Sequence, residues 1–384
     1  MQTNRKILVI VRNLAVNGPA IQMAALTRAW VQRGHRCFVL DLAPEQRDPA
    51  LIRDRMDARV ELVEGLSPRD LVGFIDRHGI SRVISVGRST DAFVSEGLRQ
   101  ASAKPNPVCF ISRQTGSYFF ETNLSAIRSN LRHFDGHVVQ SDDHEALLEK
   151  VHINKKRIHF IHNGVAVPEG RKKEGFRVAM CARGAAGKGW ATAIGAVRQL
   201  IEEGETIELW LIGSGQGLED LKHFASEHIH FLGQIADPQA ALQECTLGLL
   251  PTRAHSEGLP NSILDYFAAG LPTIASNRGG IPRLIDHPEH PAGALMDDPT
   301  DSAKWAGAIR NYLHHPELLA QHQAGVQAMQ QLVDIESVAD HWLNWMDGLA
   351  ERPNRRLPGL FDALREAAIT LSIRLKSTRS SPGR

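Results

Sequence analysis

The chain has few of the features that assign a protein quickly, and each shortage excludes something. Only 4 of its 384 residues are cysteines, namely Cys37, Cys109, Cys181 and Cys245. None forms a Cys-x-x-Cys pair, which speaks against a zinc or thioredoxin-type site and for reduced thiols in a cytosolic protein. Long apolar runs are missing as well. The run from Lys6 to Val11 is too short for a secretory signal, and no stretch approaches the length of a membrane span. Charge of one sign is not in excess: 44 basic against 43 acidic residues leave a formal net charge of +1. That balance gives no global argument for nucleic acid as a partner. The 18 histidines are scattered, with no His-Glu-x-x-His helix, so no metal site is expected.

What is present is an ordinary soluble composition, with 42% apolar residues, on a chain longer than one core usually holds. Two domains are therefore expected. The first half alternates apolar runs with amphipathic stretches. Ile7 to Val11 reads as a central parallel strand, Pro19 opens a helix that Gly34 ends, and Cys37 to Leu40 is the next strand, a right-handed βαβ unit. The alternation continues through strands at Val60 to Val63, Arg82 to Val86, Val108 to Ser112, Asp135 to Gln140 and Ile158 to Ile161. Helices are expected over Pro68 to His78, Asp91 to Ala101 and Asp142 to Val151. Val167 to Phe176, rich in glycine and basic residues, reads as a linker.

The second half repeats the grammar. Arg177 to Cys181 is a strand, Arg183 to Gly189 a glycine-rich loop and Trp190 to Glu203 a helix. Glu208 to Ile212 is the next strand, followed by Gly213-Ser214-Gly215-Gln216-Gly217 and a helix through Ser226. That glycine loop is not a dinucleotide fingerprint, because its third glycine is off register. Arg183 and Lys188 stand in a loop whose glycines allow close backbone approach to a ligand, and a guanidinium with an ammonium neutralises a polyanion.

The stretch His255 to Ile285 organises the rest. Glu257 lies in a loop; after Gly258 and Leu259, Pro260 opens a helix with Asn261 and Ser262 in its first turn and an apolar body beginning at Ile263. Gly270 and Pro272 end it, Thr273 to Ala275 is a short buried strand, and Pro282 opens a second helix. Helix N-termini offer unpaired N–H groups, a ready anion site, and Glu257 and Asp265 flank it. Either acid alone would pass for a surface acid beside a capped helix. The order of so many parts does not.

This arrangement resembles the signature of the retaining nucleotide-sugar glycosyltransferases of family four, in which Glu-Gly-Phe/Leu-Pro is followed by an apolar helix with a second acid after seven intervening residues. Here that acid is Asp265 where glutamate is usual, one methylene shorter. The resemblance covers roughly residues 5 to 350, most strongly 161 to 285. It extends to the Arg183/Lys188 loop, with Ala182 in place of a glycine, and to His162-Asn163-Gly164-Val165, where His162 replaces a proline.

The resemblance implies an α/β GT-B fold, two Rossmann-like domains facing each other across a cleft. Residues 1–165 would bind acceptor and 166–335 the nucleotide sugar, with a helix over 336–351 crossing back and a basic tail over 352–384. It implies that Arg183 and Lys188 grip the donor diphosphate, Glu257 holds the transferred sugar and Asp265 the ribose. Gly258, Leu259, Pro260, Asn261, Ser262 and Ile263 would line the nucleotide sugar, joined by Gly213, Gln234, Ile235 and Gly18. Asn17 matches the first glycine-rich loop, and Arg113 and Gln114 stand where many members have a histidine touching the sugar. No Asp-x-Asp motif occurs, so a metal-bridged diphosphate is not supported, and no cofactor is expected.

The function implied is retaining transfer from a nucleotide-diphosphate sugar, read as a UDP-sugar, to a glycan or lipid-linked acceptor in surface polysaccharide or lipopolysaccharide synthesis. The alternatives are an inactive sugar-nucleotide-binding homologue and an epimerase of the same architecture. The expected location is the cytoplasm, with the inner membrane face as a further partner surface. The tail places Leu360, Leu364, Ala368, Leu371 and Leu375 on one helical face, which fits either an interfacial anchor or a helix packed on its own protein.

Overall fold

The computed structural model describes residues 4–350 except 16, 102–107, 169–174, 236–237 and 255–256. The expected tail over 352–384 and the middle of the expected linker lie outside the described residues. Two compact units emerge, one running to Ile161 and resuming at Val338, the other His162–Ser337.

The first unit is built on a seven-stranded parallel sheet. Its strands are β1 (Lys6–Val11), β2 (Arg36–Asp41), β3 (Glu61–Val63), β4 (Arg82–Val86), β5 (Cys109–Arg113), β6 (Gly136–Val139) and β7 (Ile158–Phe160), in the order β3-β2-β1-β4-β5-β6-β7. Helices cover both faces of such a sheet, which is why Ile7 to Val11 is apolar without alternation and buried throughout. Gly18–Gln32 follows β1 as a helix, and the Asn17 side chain caps it by accepting from the Ala20 N–H at 3.0 Å. The expected Pro68 helix is divided: Pro68–Asp70 is a 3-10 turn, and the α-helix is Leu71–His78.

The last helix, Ile335–Ala350, begins in the second unit and from Val338 belongs to the first. There Trp342 meets Trp30 edge-on with centroids 6.2 Å apart, and Trp30 donates its indole N–H to Ala339 O at 3.2 Å. Asp347 pairs with Arg5 and, at 3.3 Å, with Arg82. Gly136 lies so close that a Cβ there would come within 2.7 Å of Trp345 and Leu349.

The second unit has six parallel strands, β8 (Arg177–Cys181), β9 (Glu208–Ile212), β10 (Ile229–Gly233), β11 (Leu247–Leu250), β12 (Thr273–Ser276) and β13 (Gly293–Met296), in the order β10-β9-β8-β11-β12-β13. The helices Trp190–Glu202 and Ser302–His314 put Trp190 and Trp305 into one core with Leu209, Leu211 and Leu247. Two helices are shorter than the sequence suggested. The stretch after Gly215 breaks into Gln216–Glu219 and a 3-10 turn Lys222–Phe224, and Pro282–Ile285 is a single turn. Among the described residues no helix is long and apolar enough to cross a membrane.

Candidate active site

In the second sheet the chain leaves β8 toward β9 and leaves β11 toward β12, so their carboxyl ends form a switch point, the usual place for a ligand in an open α/β sheet. The opening has a local cause. β8 and β11 pair only through Leu247 with Val178 and Gly248 with Ala179. Beyond that, the buried Tyr266 stands between them. Its hydroxyl accepts from the Cys181 N–H at 2.7 Å and donates to Leu249 O at 2.9 Å. Its ring fills the space a side chain at Gly248 would need, with a Cβ there only 2.5 Å from the ring.

Two loops leave these strand ends and are sewn together. Arg253 N–H donates to Gly187 O at 2.8 Å. Gly189 has φ +87°, and a Cβ would sit 1.9 Å from Pro251 O, so only glycine lets the backbones meet. Lys188 Nζ bonds Glu257 Oε1, to which Thr252 also donates at 3.1 Å. The pair is largely enclosed, the side chains being 15% and 12% exposed. Glu257 is fixed from behind as well. Its carbonyl accepts from Gly280 N–H at 3.0 Å, and a Cβ at Gly279, where φ is +53°, would fall 1.8 Å from that oxygen. Arg183 differs from Lys188. It is exposed, and no carboxylate partners it among the described residues, while its carbonyl is held by the Trp190 indole at 3.2 Å.

From Glu257 the chain passes through Gly258 and the buried Leu259 into the helix Asn261–Ala268. Pro260 is its N-cap rather than its first turn; no side chain caps it, and Pro260 O takes the Ile263 N–H at 3.1 Å. Ile263 is fully buried. Asn163, from the Asn-Gly turn that opens this unit, donates to Leu259 O at 2.8 Å and sets the approach to the helix. Asp265 lies in the second helical turn near Cys181, whose thiol is pushed up to about 12 by burial and then by the Asp265 charge. Gln239 reaches it from the helix Pro238–Gln243.

The loops after β9 and β10 complete the ring. Gly184 N–H bonds Ser214 O at 2.8 Å, Gly213 N–H bonds Gly233 O at 2.8 Å, and Ser214 donates to the Gln234 side chain at 3.0 Å. Ile235 packs on the cluster that contains Tyr266. The candidates Arg183, Lys188, Glu257, Gly258 to Ile263, Asp265, Gly213, Gln234 and Ile235 therefore share one end of one unit. Thr252, Tyr266, Gly279 and Gln239 join them, and none of these stood among the expected site residues.

The other four candidates belong to the first unit. Asn17 and Gly18 form a helix start, with Asn17 occupied as its cap. Arg113 and Gln114, at the end of β5, are buried instead of open. Burial alone pulls the Arg113 guanidinium down to about 10. Gln114 donates to Ser112 Oγ at 2.7 Å, and Ser112 donates to Asp91 Oδ2 at 2.7 Å, which Tyr118 also bonds. Burial pushes the Asp91 carboxyl up to about 7, against the Ser85, Tyr118 and Ser112 hydroxyls, whose hydrogen bonds pull it down.

Two parallel sheets with these crossovers are the GT-B architecture, and comparison with solved structures agrees. The crystal structure of Anabaena Alr3699/HepE in complex with UDP and glucose superposes with a TM-score of 0.72 over 90% of this chain and 100% of that one, at 16% identity. Residues 175–315, within the second unit, match the family described as Glycosyl transferases group 1. Among curated proteins, the lipopolysaccharide core biosynthesis glycosyltransferase LpsD of Rhizobium meliloti is 28% identical over 43% of this chain and 48% of its own. A GDP-mannose-dependent alpha-(1-6)-phosphatidylinositol monomannoside mannosyltransferase of Mycobacterium tuberculosis is 28% identical over 29% of this chain and 31% of its own. These matches span less than half the length of the curated relatives.

Proposed function

We propose that the protein is a glycosyltransferase that moves a sugar, with retention and without a metal, from a UDP-sugar to a glycan or lipid-linked acceptor of surface polysaccharide or lipopolysaccharide synthesis. The observation that carries this reading is the enclosed Lys188 and Glu257 pair at the switch point, beside the exposed Arg183. Breaking a sugar–phosphate bond leaves negative charge on the nucleoside diphosphate and positive charge on the anomeric carbon. Arg183, Lys188 and the leading N–H groups of the Asn261 helix stabilise the first, and preorganised charge of this kind carries much of catalysis. Glu257 accepts from sugar hydroxyls and Asp265 from the ribose. The acceptor attacks from the leaving-group side, and a donor phosphate oxygen takes its proton, so no protein base is assigned.

The names of the relatives support sugar transfer in lipopolysaccharide synthesis. They differ on the donor, UDP in one neighbour's crystals and GDP-mannose in another relative's name. A melting panel of UDP-, GDP-, ADP- and dTDP-sugars decides it, since a bound donor raises stability by mass action. A shift by UDP-sugars is expected; a shift by GDP-mannose alone would overturn the UDP assignment. Activity should survive EDTA, and complete loss restored by manganese would overturn the cationic-loop mechanism. Glu257→Ala should abolish most transfer while affinity for free UDP holds or rises, because Lys188 loses its carboxylate. Full turnover in that variant would move the active site elsewhere. A second reading, a sugar-nucleotide binder without transfer, is favoured by Asp265 in place of glutamate. It predicts the same melting shifts with neither transfer nor donor hydrolysis in an acceptor extract.

A further inference from the structure

The Glu257 carboxylate is held by one of its oxygens. Lys188 Nζ and the Thr252 hydroxyl both end on Oε1, the hydroxyl at 3.1 Å, and among the described residues no hydrogen bond reaches Oε2. The two donors differ in kind. Lys188 carries a charge on a flexible stem. Thr252 is fully buried and β-branched, so its χ1 is stiff. Its hydroxyl is also oriented by its own bonding. The oxygen accepts from the Ala254 N–H at 3.3 Å, and its single proton has Glu257 Oε1 at 3.1 Å and Gly187 O at 3.4 Å within reach. The Gly187 carbonyl is already served by the Arg253 N–H at 2.8 Å, whereas Oε1 is closer and charged, so the proton goes to Glu257.

The difference matters once a diphosphate arrives. A polyanion competes for the Lys188 ammonium, and whatever bonding Lys188 turns to phosphate it withdraws from Oε1. A neutral, buried hydroxyl is not drawn away in this manner. Were Lys188 the only donor, the carboxylate would lose its anchor in the state in which it has to receive the sugar. With Thr252 present, Oε1 stays held and Oε2 stays free for a sugar hydroxyl, which meets an oriented acceptor.

We infer that Thr252 is a positioning residue for transfer, holding Glu257 Oε1 while Lys188 turns to the leaving diphosphate and so keeping Oε2 ready for the transferred sugar. The inference rests on the reading of Glu257 as the residue that holds the sugar and of Lys188 as a diphosphate ligand. It adds that the pair can separate during the reaction without the carboxylate losing its place. Loss of the hydroxyl is therefore felt in turnover more than in nucleotide binding, because water can replace the lost donor where no sugar is bound.

The test compares Thr252→Ser, Thr252→Ala and Thr252→Val in the full-length protein. Serine keeps the hydroxyl without the methyl, valine keeps the shape without the hydroxyl, and alanine keeps neither. Two quantities are read, affinity for free UDP by calorimetric titration and kcat for release of UDP from UDP-glucose in an acceptor extract, with GDP and GDP-mannose in their place if the melting panel selects guanine. Alanine and valine should lower kcat by about tenfold or more, as for loss of one hydrogen bond to a charged group, while serine stays within about threefold of wild type. All three should bind UDP within about threefold of wild type. Full kcat in the valine variant would mean that the methyl group or nothing at all carries the role, and the proposal falls. It falls equally if serine loses as much as alanine, a comparison that stands even where valine does not fold, or if UDP affinity drops in step with kcat, since Thr252 then only shapes the loop. If wild type binds UDP or GDP but releases neither from its donor, the nucleotide site stands and the transfer reading fails. If it binds neither, the site assignment fails, and in both cases this inference fails with the reading beneath it.

Discussion

The two units use the same strand–helix grammar but finish it differently at the carboxyl ends of their strands. In the second unit, the loops after β8 and β11 touch backbone to backbone through Gly189 and carry their charges outward, Arg183 exposed and Lys188 shared with Glu257. In the first, the loops after β4 and β5 turn their polar groups inward. Asp91, Ser112, Gln114 and Tyr118 bond one another, and Arg113 is buried beside them. Fold alone therefore does not make a site. Glycine at the points of closest approach lets one pair of loops present charge over the switch point, whereas side chains of ordinary size in the other pair fill the same layer and close it.

The sharpest way to break this comparison is to give the open loops a side chain. Gly279→Ala would set a Cβ 1.8 Å from Glu257 O at φ +53°. The clash and the left-handed backbone together should destabilise the protein by on the order of 4 kcal/mol, at the upper end for single substitutions. Thermal melting reads this directly. A variant that melts within a degree or two of wild type, with normal transfer, would show that the Glu257 backbone is free to move.

Next in size is the contrast between the two cations. Arg183→Ala and Lys188→Ala should each lower transfer by about a hundredfold, roughly 3 kcal/mol, by removing charge that meets the leaving diphosphate. Their stabilities should part company. Arg183 is exposed, so its loss should leave melting unchanged, whereas loss of Lys188 strands an enclosed carboxylate with only Thr252 as a donor among the described residues. That should lower stability by roughly 2 kcal/mol. Equal melting of the two variants would mean that Lys188 and Glu257 are not paired in solution.

The strands of the first unit and the charged loops of the second were legible in the residues, whereas the order of the strands, and β11 and β13 themselves, were not. Pro260, Gly270 and Pro272 punctuate a helix and strand that appear within a residue or two of their expected bounds. Helices marked by capping acids or amides were passed over, although their signals were present. Asp48, Asn123 and Asp301 each cap one, over Pro49–Arg55, Leu124–Leu131 and Ser302–His314. Tyr266 and Gln239 could not be read at all. Tyr266 looks like any apolar helical residue until β8 and β11 are seen to part around it, and Gln239 is 26 positions from its partner Asp265. Gln114 shows the opposite failure. A polar residue after a strand in a ligand-bearing layer reads as open, and only the packing around Ser112 and Asp91 reveals that it faces inward.

The closed network of the first unit supplies the smallest prediction and the one that tests its closure. Asp91 is buried, and its carboxyl is pushed up from 3.8 to about 7. In the unfolded chain it ionises near its ordinary value, so between those two pH values the folded protein holds a proton that the unfolded chain has released. Stability contributed by the protonated group is complete below the unfolded value and is lost as pH rises toward the folded one. Asp91→Asn keeps an oxygen for the Ser112 and Tyr118 hydroxyls and removes the titration. Its fixed cost, an amide nitrogen in place of the second carboxylate oxygen, does not depend on pH. The difference in stability between variant and wild type should therefore move in the variant's favour by about 2 kcal/mol from pH 5 to pH 7 and level off above that. Chemical denaturation of both proteins at a series of pH values measures it. A difference that stays flat across this range would mean that water reaches Asp91, and the first unit would then be as open at its strand ends as the second.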